Sequence, residues 1–188
     1  TINVWVDSMH FRQLEPVPTV IISGEKGSGK SRLLKNRVIP ELQRSRTDYA
    51  GILMQYIFEK DEHVGYTISL LPGNAAMTLV GPEVSDAILS VGKYSFSRSA
   101  FEAGSKHIEQ KLNEVDVVFL DESGWLETYG VGWYNALKET RLSGKPMIVV
   151  VRPDLKEDFV KFWNIDEKAL LRPDSDISEV RSALDALQ

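Results

Sequence analysis

Residues 24 to 31 read GEKGSGKS, and no other stretch limits the fold of this chain as much. The octet satisfies G-x-x-x-x-G-K-[ST] in full, a pattern that ordinary glycine usage produces by chance in about one chain in a hundred of this length. It follows the apolar run VPTVIIS (17–23) and precedes a stretch in which Leu33, Leu34, Val38 and Leu42 recur near helical spacing. That context is the one the motif's chemistry needs. Glycines let the backbone curl so that successive N–H groups point inward, and the following helix adds the positive end of its dipole, so the loop is built to hold phosphate. Gly24, Glu25, Lys26, Gly27, Ser28, Gly29, Lys30, Ser31 and Arg32 are therefore the candidate nucleotide-binding residues. Lys30 is placed to reach the β- and γ-phosphates, and Ser31 to offer its hydroxyl to Mg²⁺. A strand, this loop and a helix from Ser28 to about Arg46, with Pro40 as a kink or stop, open an α/β fold.

A second stretch, VVFLDESGWLE (117–127), ends an almost continuous apolar run with two carboxylates. Continuous apolarity predicts a parallel central strand buried on both faces, and ligands of open α/β sheets gather at the carboxyl ends of such strands. Read beside the phosphate loop, Asp121 is the candidate Mg²⁺ partner of Ser31. Glu122, one residue on and pointing elsewhere, is the candidate general base for water. Charge developing on a γ-phosphoryl group also calls for a cation beyond Lys30. Arg152, at the end of the apolar run PMIVVV, is the first candidate, with Arg141 and Arg98 behind it.

The rest of the chain predicts one domain over 17–188, with residues 1–16 as an extension of unassigned role. GILMQYIF and GYTISLL, joined by the charged EKDEHV, predict an antiparallel hairpin, and AAMTLVGPE a short strand or loop. Helices are expected from Ser97 or Ser99 to about Asn113, from Gly132 to Arg141, from Asp154 to Trp163 and from Ser175 to Leu187. PMIVVV and ALLRP complete the strands.

With 188 residues, 43% of them hydrophobic, the chain supports one full core. A net charge of −5 makes nucleic acid an unsuited partner and favours a nucleotide, with room for a protein partner that the sequence does not identify. Cysteine is absent, which removes disulfides, thiolate zinc sites and thiol nucleophiles and fits a cytoplasmic protein. No apolar run approaches the roughly 18 residues of a membrane span. The chain opens on Thr1 rather than Met, as a processed or excised piece of a longer protein would.

Taken together, these segments resemble the small THEP-type nucleoside-triphosphatases, also called cancer-related NTPases, from about Thr19 to Ile165. The likeness rests on GEKGSGKS, on YAGILMQYIFEKDEHVGYTISLLPG, on VGKYSFSRSAFEAG, on VDVVFLDESGWLE and on LSGKPMIVVVRPD, in that order. It implies a RecA-like P-loop fold, a three-layer sandwich around a mostly parallel sheet with an inserted antiparallel hairpin. It also implies slow, broad hydrolysis of triphosphates such as ATP or GTP to diphosphates. By the same likeness Lys30 and Ser31 meet phosphate and Mg²⁺, Asp121 the metal and Glu122 the water, and Gly124 and Glu127 match further positions. Ser123 and the pair Trp125–Leu126 depart from the family pattern, and Trp125 is placed either to pack or to wall the nucleotide base. Two other readings share the loop: a nucleotide or small-molecule kinase, for which an arginine-rich lid is wanting, and a nucleotide-dependent regulatory or assembly module.

Overall fold

A computed structural model describes residues 3–82 and 84–188. The apolar runs build one nine-stranded sheet. Its strands are β1 (Val17–Ser23), β2 (Tyr49–Glu59), β3 (Glu62–Leu71), β4 (Ala75–Gly81), β5 (Ala87–Val91), β6 (Tyr94–Ser97), β7 (Val117–Ser123), β8 (Met147–Val151) and β9 (Ile165–Leu171), in the order β5-β6-β4-β3-β2-β7-β8-β1-β9. The neighbours from β2 to β9 run parallel, and those from β2 to β5 antiparallel. The inserted hairpin is thus the start of a longer meander. Its turn is only Lys60 and Asp61, both at positive φ as a tight two-residue hairpin requires.

Period-two alternation explains the layering. On β8, Met147, Val149 and Val151 face one core while Ile148 and Val150 face the other. The first core packs under α1 (Val4–Phe11), α4 (Arg98–Lys111), α6 (Tyr134–Ser143) and α7 (Lys156–Trp163). The second packs under the helix that follows the phosphate loop and under α8 (Ile177–Asp185). The former helix runs as α2 (Lys30–Leu33), a π turn (Leu34–Val38) and α3 (Ile39–Arg44). Pro40 lacks an N–H, so the ladder widens just before it and the chain continues helical to Arg44 instead of stopping. A single short turn, α5 (Trp125–Thr128), follows β7.

The opening segment is helical because tertiary contacts hold it. Phe11 stacks on Trp163 at 5.1 Å, and Tyr134 and Lys138 both donate to Asp7. Arg141 is buried behind it. Its Nε donates to the Trp163 carbonyl at 2.7 Å, and Nη2 donates to the carbonyls of Phe11 and Glu15 at 3.0 and 2.8 Å. Arg141 therefore leaves the set of phosphate-facing candidates: it is a clamp between α1, α6 and α7. Arg141→Leu is expected to lower stability by about 2 kcal/mol, because three carbonyls lose their donor. A urea midpoint equal to wild type would contradict this role.

Candidate functional site

The phosphate loop joins the end of β1 to α2 at the carboxyl edge of the parallel strands. Gly27 and Gly29 take positive φ of 75° and 101°, the left-handed turns that let the loop curl. Gly24 is needed for space, since a Cβ there would lie 2.7 Å from the Ser28 hydroxyl and 2.9 Å from Pro173. Lys30 is buried, and its Nζ donates to the carbonyls of Gly24 and Glu25, both at 2.7 Å, which fixes the ammonium inside the loop's curve. Glu25, Lys26, Ser28 and Arg32 are exposed around it.

Strand β7 brings its acids to the same edge, two strands from β1 with β8 between them. The Ser31 hydroxyl donates to Asp121 Oδ1 at 2.9 Å, and the Met54 amide donates to Oδ2 at 3.0 Å. Asp121 is fully buried, and that burial pushes its pKa up to about 7 against the pull of both hydrogen bonds and of Lys30. The next residue parts from it sharply. The β7–β8 register shifts between Leu120 and Ser123, and Glu122 sits at φ 63°. This bulge is what sends two adjacent carboxylates to different places: Asp121 inward to Ser31, Glu122 outward into a cavity of about 370 Å³. Whether the pair suits Mg²⁺ can be read from the donors. A serine hydroxyl and one carboxylate are hard oxygens, and no group of three His, Cys, Asp or Glu gathers among the described residues. The set fits a cation whose remaining ligands are phosphate oxygens and water.

Glu127 is the third acid of the stretch, and it touches the backbone. It is buried, with Oε2 accepting from the Gly124 amide at 2.6 Å and Oε1 from the Trp133 amide at 2.9 Å. The carboxylate thus ties the loop after β7 to the start of α6. Gly132 makes room for it: φ is 65°, and a Cβ there would come within 2.4 Å of Glu127 Oε1.

Of the arginine candidates, Arg152 reaches the site's rim. It lines the same cavity as Glu122 and is held in a fork by Asp154, with Nε and Nη2 at 3.1 and 2.7 Å. Arg98 is exposed at the start of α4. Trp125 is half exposed, meets Tyr129 edge to face at 6.1 Å, and borders the cavity on the Glu122 side. Sequence reasoning passed over the Met54 amide, Gly132 and Pro173. Only Gly132, flanked by another glycine in YGVGW, carried a local signal.

The profile of the NTPase family matches residues 19–170. The chain is 26% identical over 133 residues to the nucleoside-triphosphatase THEP1 of Methanocaldococcus jannaschii, a match covering 70% of this chain and 76% of that one. It is 27% identical over 143 residues to the protein of the same name from Pyrococcus abyssi, covering 73% and 76%. Its fold is similar to the solution structure of a human cancer-related nucleoside triphosphatase, with a TM-score of 0.61 at 15% identity over 89% of this chain and 94% of that one.

Proposed function

The chain belongs to the NTPase family, and from that premise we propose that it hydrolyses nucleoside triphosphates to diphosphate and phosphate in a Mg²⁺-dependent reaction. The observation that carries the reading is the division of labour at the end of β7, where Asp121 joins Ser31 and Glu122 turns away into open space. In this proposal residues 17–188 are the catalytic domain and residues 1–16 an extension, of which α1 packs against it. Lys30 and the loop amides of 24–31 hold the phosphates, Ser31 and Asp121 hold Mg²⁺, and Glu122 orients a water and takes its proton. Bound there, Mg²⁺ would neutralise charge between the β- and γ-phosphoryl oxygens. Arg152 supplies a further positive charge once it exchanges Asp154 for phosphate.

The test is phosphate release from ATP, GTP, CTP and UTP, each with Mg²⁺ and with EDTA. Release that requires Mg²⁺ is expected, and release unaffected by EDTA would contradict the metal assignment. Lys30→Ala should weaken nucleotide binding by about tenfold or more, the worth of a charge-assisted hydrogen bond to phosphate. Unchanged affinity would remove Lys30 from the site.

A further inference from the structure

The cavity that Glu122 faces is continuous with the phosphate site. Lys26 of the loop, Glu122 and Arg152 line it together and all three are exposed, so its open side carries two cations and the carboxylate proposed to activate the nucleophile. Hydrolysis needs room there for one water only. At about 370 Å³ the space falls instead within the range of small-molecule sites.

The rest of the lining is mostly apolar and incompletely covered. Met54, Tyr66, Tyr94, Phe96, Leu126 and Leu155 all border the cavity and are half-buried, so each keeps apolar surface that the fold itself does not fill. Phe96 stacks on Phe101 at 6.3 Å, and Phe101 meets Trp133 edge to face at 4.7 Å. The Tyr94 hydroxyl donates to the His63 carbonyl at 3.0 Å, which leaves its ring for a ligand. Rings of this kind pack well against another ring. Tyr66 joins the two parts of the cavity: burial first, then Tyr56 and the charge of Glu122, hold its phenol above the ordinary range, so the carboxylate stands near the aromatic side chains.

Position decides between the nucleotide's base and the nucleophile as occupant. A base is separated from the γ-phosphoryl group by a sugar and two phosphates, whereas Glu122 has to stand beside the attacking oxygen. Space adjoining Glu122 therefore suits the molecule that carries that oxygen.

We propose that the cavity is an acceptor site, and that the protein transfers the γ-phosphoryl group to the hydroxyl of a small alcohol carrying an aromatic ring as well as to water. The ring packs among the half-buried side chains and the hydroxyl lies against Glu122. Its oxygen forms a bond to the γ-phosphorus while the bond from that phosphorus to the β–γ bridging oxygen breaks. The diphosphate leaves with the electron pair, and the hydroxyl proton passes to Glu122. The products are a phosphate monoester and a nucleoside diphosphate. Lys26 and Arg152 supply positive charge to the phosphoryl group in transit. The transfer rests on the hydrolase reading of the loop and of Glu122, because it uses the same machinery with a different nucleophile.

The test incubates the protein with Mg-ATP and either 2-naphthylmethanol or ethanol at equal concentration, with phosphate esters and free phosphate followed by phosphorus NMR. The naphthyl ester is expected to form faster than ethyl phosphate by about tenfold to a hundredfold, the worth of burying one aromatic ring. Glu122→Gln should lose ester and free phosphate together, by about 10²-fold or more. Val91→Trp, at an exposed position bordering the cavity, should lower the ratio of naphthyl ester to free phosphate by about tenfold while circular dichroism stays that of wild type. Free phosphate without naphthyl ester, or equal rates for the two alcohols, overturns the proposal and leaves the hydrolase reading standing. An unchanged ratio in Val91→Trp overturns the placement of the ring, and ester formation that survives Glu122→Gln overturns the role of Glu122 in the transfer. Displacement of a fluorescent triphosphate by naphthylmethanol gives the cavity to the base and overturns the acceptor site. Naphthyl ester formed by a protein that releases no phosphate without an alcohol supports the transfer and sinks the hydrolase reading alone, and the absence of both products overturns both.

Discussion

Glu122→Gln is expected to lower phosphate release by about 10²- to 10⁴-fold while leaving Mg-nucleotide binding near wild type, the scale on which removal of a general base acts. The two carboxylates of 121–122 make this a clean substitution. Asp121 is engaged with Ser31 and Met54, so the groups proposed to hold the metal stay in place when residue 122 changes. Glutamine keeps the length and shape of the side chain, and it faces the same backbone strain at φ 63° that glutamate does, so the bulge itself is not relieved. What is lost is the capacity to accept a proton. Binding can be followed with a fluorescent triphosphate analogue and turnover by free phosphate. Equal turnover in wild type and variant would move the base elsewhere. Loss of binding together with turnover would show that Glu122 shapes the phosphate site instead.

How much of this site was legible in the sequence depended on whether the deciding contacts were local. The strand, loop and helix of 17–46 were legible because glycine spacing, an apolar run and helical periodicity all fall within 30 residues. Even Pro40 announced itself, though as a kink or a stop; the π turn that absorbs it depends on packing of Leu34 and Val38 in the second core. The last strands of the meander were not legible. SDAILSVGKYSFS is short and mixed in polarity, and it becomes β5 and β6 only because β4 presents an edge to pair with. The helix at 4–11 is similar, since Phe11 and Asp7 find partners more than a hundred residues away. Arg141 is the sharpest case. On its helix it reads as an exposed cation and a weaker phosphate-facing candidate, and its burial is decided by three carbonyls that only the folded chain collects. The acids of β7 fall between these extremes. Their presence at a strand's end and their pointing apart were visible, but the bulge that sets Glu122 at positive φ comes from a register shift against β8, which no local pattern encodes.

Stability should also fall as pH rises from about 4.5 to 7, and Glu127 is a principal cause. Burial pushes its carboxyl up to about 7, and the amides of Trp133 and Gly124 offset only part of that. In the unfolded chain the same group has its ordinary value near 4.5. Between those values the folded state holds a proton that the unfolded state has released, so raising the pH draws the equilibrium toward unfolding. The contribution is fully present below pH 4.5 and lost once the pH passes about 7, with an upper limit of about 3 kcal/mol. Asp121 adds a slope of the same sign, because burial raises its pKa too. Asp7, Glu41 and Asp86 have lowered values, so they act with the opposite sign and below about pH 4.5, under this window. Glu127→Gln separates the terms. Glutamine keeps the size and one carbonyl acceptor for the two amides, so the variant is less stable than wild type at pH 5, but it carries no proton to release. Urea midpoints at pH 5 and pH 8 should therefore differ less in the variant than in wild type, the residual slope belonging to Asp121. A variant whose midpoint falls as steeply as wild type would show that Glu127 is ionised at both pH values, and the clamp between β7 and α6 would then be a carboxylate throughout.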